Sequence, residues 1–317
     1  MAVKKYAFGV DVGGTTIKHG LFDAKAEELL ESWEIPTRTE DNGRYILSDI
    51  AESIQNKLAE KKIDAKEIIG VGIGVPGPVL HSSIVNNAVN LHWGVVDVAA
   101  NLSEMLGGLP VKVGNDANVA ALGEQWKGGG EGFQNVLMVT LGTGVGGGII
   151  LNGRILDGSN GAGGEIGHIK VSDTETERCN CGKCGCLEQY TSANGIVRVT
   201  KKALATTKLK STLAGNPDKV TSKEIFDEAK QGDEFALQMV DQFGRTLGEA
   251  LANMTVVVDP EVIVIGGGVS KAGQIIIDAV QKYYTPAAFH ACRSVIFKLA
   301  LLGNNAGMYG AVRMILQ

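Results

Sequence analysis

Four of the chain's five cysteines, Cys179, Cys181, Cys184 and Cys186, fall within eight residues. His168 lies eleven residues before the first of them, on the glycine-rich run Gly163-Gly164-Glu165-Ile166-Gly167-His168. Glu188 follows just beyond the last cysteine. Thiolates and imidazole at this density are the donors that tetrahedral zinc takes. The compact C-x-C-x2-C-x-C spacing with a nearby histidine suits zinc better than an iron–sulfur cluster. Disulfide pairing needs an oxidising compartment, and the opening MAVKKYAFGVD holds too short an apolar run for an export signal. Five donors compete for four positions, so one is expected to be a bystander. The reading is that a structural zinc folds the knuckle and so fixes Glu165, His168 and Glu188 as one wall of a small-molecule pocket. The plain alternative is that both glutamates are merely solvated.

A second kind of chemistry recurs along the chain. The apolar run Tyr6 to Val12 ends in Gly13-Gly14-Thr15 and resumes from Ile17 to Phe22, which predicts strand, tight turn, strand. Glycines there let a backbone approach a ligand, and Thr15, Thr16 and Lys18 offer hydroxyls and a cation to phosphate oxygens. Asp11, just ahead of the turn, is placed to hold a magnesium ion or its water. The design repeats in VLMVTL followed by Gly142-Thr143-Gly144, and a third glycine turn, Gly266-Gly267-Gly268, ends the run from Val262. None matches the P-loop or dinucleotide fingerprints. Two such units and a late glycine turn predict a duplicated α/β architecture that binds a nucleotide.

These motifs need a scaffold. With 317 residues, 44% hydrophobic and 21% charged, the chain is long enough for about two domains with substantial cores. A net charge of -5 gives no general attraction to nucleic acid. The charge-free run from Val136 to Gly153 holds too many glycines for a membrane helix. A cytoplasmic setting without membrane or nucleic-acid partners is expected. Apolar residues at Ile46, Leu47, Ile50, Ile54 and Leu58 predict an amphipathic helix over about 44–62. Ile68 to Val75 reads as a buried strand entering Pro76-Gly77-Pro78, and Ser82 to Trp93 as a polar loop. Val111 to Val113 predicts a strand and Val119 to Trp126 a helix, with Asp116 at the junction as its N-cap. Further helices are expected over Leu187 to about Ala205, from a Ser222 cap to Lys230, and over Leu237 to Met254. One more helix is expected after the third glycine turn, then a strand from Val295 to Leu301 and a last helix opened by Gly303-Asn304-Asn305.

Asp11-Val12-Gly13-Gly14-Thr15 and Leu141-Gly142-Thr143-Gly144 resemble the two phosphate loops of the actin-like sugar kinases, and Gly266-Gly267-Gly268 is similar to their adenosine loop. The GGEIGH run together with the cysteine knuckle resembles the signature of the ROK family (repressors, open reading frames, kinases), and of its members the bacterial glucokinases are most alike. The resemblance implies a two-lobed actin-like fold, duplicated from a ribonuclease H-like unit, with an interlobe cleft. Residues 1–117 would form the first lobe, joined by a returning helix at 305–317, and 118–304 the second, with hinges near 117 and 304. It implies His168, Cys179, Cys181 and Cys186 as the zinc ligands.

The implied activity is transfer of the ATP γ-phosphoryl group to the 6-hydroxyl of glucose, with magnesium. Asp116, in the GNDAN run that resembles the family's catalytic loop, would be the general base. Gly77, Asn90, Asn115, Glu165, His168 and Glu188 would bind the sugar, with His168 serving zinc through one ring nitrogen and the sugar through the other. Asp11, Gly13, Gly14, Thr15, Lys18, Gly142, Thr143, Gly144, Gly266, Gly267 and Gly268 would bind the nucleotide. Relatives imply a homodimer. Rival expectations are a kinase for N-acetylglucosamine or N-acetylmannosamine, a fructokinase, and a sugar-sensing repressor. The repressor is disfavoured because only five residues stand ahead of the strand at Tyr6.

Overall fold

The computed structural model describes residues 4–317, so Met1 to Val3 of the expected first lobe lie outside the described residues. The chain divides into two compact units. The first holds the described residues up to Gly132 together with Gly148–Gly164 and Leu302–Gln317. The second holds Phe133–Gly147 and Glu165–Leu301.

In the first unit the meander β1 (Tyr6–Val12), β2 (Thr16–Asp23) and β3 (Glu28–Pro36) is extended by β4 (Ile68–Val75). A small antiparallel sheet of β5 (Val79–Leu80), β6 (Ile84–Ala88) and β7 (Trp93–Asp97) follows, then β8 (Val111–Asn115). The main sheet has the order β3-β2-β1-β4-β8, with β1, β4 and β8 parallel. Alternation along β1 decides what each face sees. Phe8, Val10 and Val12 join the core that contains Ile46, Ile50 and Ile54 of the helix Ile46–Lys61. Ala7 joins Met308, Val312 and Ile315 of the last helix, Ala306–Leu316, on the other face. That helix lies at backbone distance from the sheet, since a Cβ on Gly72 would come within 1.7 Å of Ala311 O.

The helix Asp116–Lys127 belongs to this unit as well, whereas the sequence reading ends the first lobe at 117. Small residues explain the difference. A Cβ on Gly310 would fall 1.7 Å from Val119 O, and one on Gly123 2.1 Å from Ala306 O, so these two helices pack backbone to backbone. The segment expected to be a loop from Ser82 instead supplies β6 and the start of β7, with Val85, Ala88 and Trp93 buried and the two strands paired antiparallel.

The second sheet has the order β11-β10-β9-β12-β13, formed by β9 (Val136–Leu141), β10 (Val145–Leu151), β11 (Arg154–Ile155), β12 (Val262–Gly266) and β13 (Ile296–Leu299). Numbered within its own sheet, this is the same 3-2-1-4-5 order as the first, the duplication that the repeated turns predicted. The division between units falls inside β10. The helices Glu234–Val258 and Gln274–Ala287 pack closely, a Cβ on Gly244 meeting Ala279 O at 2.3 Å. The helix expected from Leu187 is two, Glu188–Thr191 and Ala193–Leu204, divided where the Ser192 side chain caps the second. Thr221 rather than Ser222 caps Ser222–Lys230, in a reciprocal box with Glu224. Among the described residues no helix is long and apolar enough to cross a membrane.

Candidate active site

In the first unit the groups of interest gather at the carboxyl ends of β1, β4 and β8, where α/β sheets present ligand sites. The register sets Asp11 opposite Gly74 and Gly74 opposite Gly114, so Asp11 and Asn115-Asp116 end the two strands that flank β4. Asp11 shares its face of β1 with Ala7 and Gly9 and meets the last helix, where a Cβ on Gly307 would lie 2.5 Å from its carboxyl carbon. Burial, then the charge of Asp116, push the Asp11 carboxyl up to about 6, against the pull of Lys18. Two acids held together under partial burial make a place for a cation. Lys18, paired with Asp11 across β1 and β2, donates to Asn304 O at 3.1 Å.

The β1–β2 turn is exposed and braced from behind. Thr37 Oγ1 donates to Gly13 O at 2.7 Å and Thr37 N to Thr15 O at 2.9 Å, a support the sequence reading missed. Asn90 sits beside this turn, its Cβ 3.9 Å from where a Gly14 Cβ would be. Gly77, at φ 96°, gives its carbonyl to Asn115 Nδ2 at 3.1 Å. The N-cap of the helix Asp116–Lys127 is Asn115, not Asp116: Asn115 Oδ1 accepts from Ala117 N and Asn118 N. Asp116 is the first helical residue.

In the second unit Gly142-Thr143-Gly144 closes with Gly142 N donating to Gly144 O at 3.0 Å, and Thr143 is exposed. The third glycine turn lies alongside, because β12 is parallel to β9 with Gly266 opposite Thr140. Gly267 has φ 84° and a Cβ there would meet Leu141 O at 2.5 Å, so glycine is required on both counts. Gly268 is exposed with open space around it. Glu188 reaches the other side of the second turn, accepting from Val145 N at 3.0 Å, and a Cβ on Gly144 would fall 2.2 Å from its Oε2. Its Oε1 lies 3.6 Å from Cys179 Sγ.

That contact joins the glycine turn to the knuckle. The ligand atoms of His168, Cys179, Cys181 and Cys186 all lie within 4.8 Å of one another. Cys181 Sγ and Cys186 Sγ are 3.5 Å apart, and Cys179 Sγ is 3.7 Å from His168 Nδ1. A zinc–sulfur bond of about 2.3 Å gives a tetrahedral edge of about 3.8 Å, so the donors fit zinc, and the sulfur separation is far too long for a disulfide. Burial, then Cys181 and Cys179, push the Cys186 thiol up to about 12, and a bound cation would favour the thiolate form instead. Cys184 is the bystander; its sulfur turns to Thr176 O at 3.6 Å. With Nδ1 toward the sulfurs, His168 directs Nε2 to the other side, 3.8 Å from Glu165 Oε2. Glu165 itself is exposed.

Each unit thus carries its own part of the expected residue set. Asp11, the first turn, Lys18, Gly77, Asn90, Asn115 and Asp116 lie on the first, and the remaining nucleotide, sugar and metal residues on the second.

Comparison with known proteins agrees with this layout. The curated glucokinase of Halalkalibacterium halodurans is 44% identical over 311 residues, covering 96% of this chain and 93% of that protein. The solved ROK family glucokinase of Streptomyces griseus, in complex with glucose and AMPPNP, superposes with a TM-score of 0.74 at 34% identity and covers 98% of each chain. The ROK hexokinase of Thermus thermophilus superposes with a TM-score of 0.77 at 31% identity over 97% of this chain and 96% of its own. The ROK family model matches residues 7–317, so a chain with these duplicated sheets, glycine turns and Cys3His knuckle belongs to the ROK family and has its two-lobed, actin-like sugar-kinase fold.

Proposed function

We propose that the protein is a glucokinase, transferring the γ-phosphoryl group of ATP to the 6-hydroxyl of glucose. The observation that carries this reading is the 44% identity to a glucokinase along nearly the whole of both chains. Phosphoryl transfer asks a protein mainly to position its reactants and disperse charge. Asp116 takes the proton of the attacking hydroxyl. Gly77, Asn90, Asn115, Glu165, His168 and Glu188 hold the sugar. The exposed turns at Gly13–Thr15 and Gly142–Gly144 receive phosphate oxygens, Lys18 adds a positive charge, and Gly266–Gly268 receives the adenosine. Bound magnesium neutralises phosphate charge, and Asp11 is the residue placed to hold it or its water. Zinc is structural: its four ligands place Glu188 through Cys179 and orient the imidazole of His168.

The wall of carboxyl groups favours a ring with free hydroxyls that donate to them. An acetamido group removes such a donor and adds bulk. We place the enzyme in the cytoplasm as a homodimer without nucleic-acid or membrane partners; reduced thiols at the knuckle are in keeping with that compartment. The test is a panel of sugars with ATP. Glucose should exceed N-acetylglucosamine and N-acetylmannosamine in kcat/KM by at least about a hundredfold. A hexosamine that wins the comparison overturns the substrate while leaving the kinase intact.

A further inference from the structure

Glu124, a glutamate in the helix Asp116–Lys127, is completely buried. Its Oε2 accepts from Gly129 N at 2.8 Å and its Oε1 from Leu302 N at 2.8 Å. Gly128 admits the carboxylate, since a Cβ there would fall 2.0 Å from Oε2. A buried carboxylate is costly unless it is bonded, and backbone N–H groups bond it strongly. The positions of those two donors give the arrangement its meaning. The chain leaves the first unit after Gly132 and returns at Leu302.

The other two crossings meet the same helix. The chain re-enters at Gly148 and leaves after Gly164. A Cβ on Gly148 would come within 2.3 Å of Ala121 Cβ and 2.9 Å of Ala117 O. Asn118, also buried, donates from Nδ2 to Gly163 O at 3.2 Å. Every crossing therefore starts or ends at a segment fastened to the helix whose first residue is Asp116. Local folding does not demand this, because Leu302 lies 178 residues from Glu124 in sequence.

We propose that Glu124 is a positioning residue for phosphoryl transfer, holding two of the four crossings in register with the helix that carries the proposed base. The inference rests on the kinase reading above. Glutamine in its place keeps one acceptor and turns an amide donor toward a backbone donor, releasing one crossing at nearly constant volume. Misplacement of reacting groups by about 1 Å costs on the order of a hundredfold in rate.

The test is steady-state kinetics of full-length Glu124→Gln, with active sites counted from the stoichiometry of glucose binding by calorimetry. Per binding site, kcat should fall roughly 10- to 100-fold while KM for glucose and for ATP stays within about threefold. A merely structural role would lower the melting temperature and the number of sites but leave kcat per site unchanged, and that result overturns the proposal. If Glu124→Gln yields no folded protein, Glu124→Asp, which keeps the carboxylate but draws it back from the Gly129 and Leu302 donors, is read by the same split. A parent chain that phosphorylates no sugar refutes the kinase reading instead.

Discussion

His19 is fully buried in β2, on the face opposite Lys18, and stacks on Trp33 with ring centroids 5.2 Å apart and planes 13° from parallel. Among the described residues neither ring nitrogen has a hydrogen-bond partner of good geometry. Burial therefore lowers its pKa from 6.5 to about 4, with a weak opposing pull from the Ile17 backbone. The sign follows from linkage: the unfolded chain takes up the proton first, so stability is complete above 6.5 and is lost as pH falls through 6.5 toward 4. With those two values the loss is about 2 kcal/mol at pH 5 and about 3 kcal/mol below pH 4. In His19→Leu this component should vanish. Because the imidazole buries two unpartnered nitrogens, the variant should be no less stable than its parent at pH 7.5, and more stable by up to about 2 kcal/mol. Urea unfolding of parent and variant at pH 7.5 and pH 5, both without ligands, isolates the term because every other titrating group is common to the pair. The parent should lose about 2 kcal/mol more than His19→Leu between the two pH values. Equal losses would refute the reasoning and mean that the ring finds a partner when charged.

Three other outcomes test the site. Asp116→Asn should lower kcat by roughly 10²–10⁴-fold while glucose binding by calorimetry changes little, since Asn115 rather than Asp116 caps the helix; near-normal turnover would remove Asp116 as the base. Purified protein should carry about one zinc per chain by elemental analysis. Cys181→Ser should lose that zinc and weaken glucose binding at least about tenfold through Glu188, whose Oε1 lies 3.6 Å from Cys179 Sγ; tight glucose binding in the metal-free variant would refute this link. Gly144→Ala places a methyl 2.2 Å from Glu188 Oε2 and should lower kcat/KM at least about tenfold without changing the zinc content, so loss of zinc would contradict the model of a displaced carboxylate on an intact knuckle.

The local signals of this chain were legible in one dimension because short-range chemistry sets them. Glycine turns after apolar runs, the cysteine knuckle with His168, and the buried strand Ile68–Val75 depend on backbone freedom, donor type and hydrophobic period within a few residues. The repeated turns also predict a duplicated architecture, and the strand order that the two sheets share is the structure's own addition. Tertiary structure decided what depends on distant partners. Cys184 is excluded from the metal cluster because its sulfur faces Thr176, and neighbouring spacing alone treats the four cysteines alike. Ser82 to Trp93 reads as polar, yet strand pairing recruits it and buries Val85, Ala88 and Trp93. The extent of the first unit followed from glycines at 123 and 310, whose value appears when two helices far apart in sequence meet backbone to backbone; for Gly310 a Cβ would sit 1.7 Å from Val119 O. Glu124 left only a faint trace, a charge among Ala120, Ala121, Leu122 and Gly123. It accepts from Gly129 N, five residues on, and from Leu302 N, which no local pattern could bring to it.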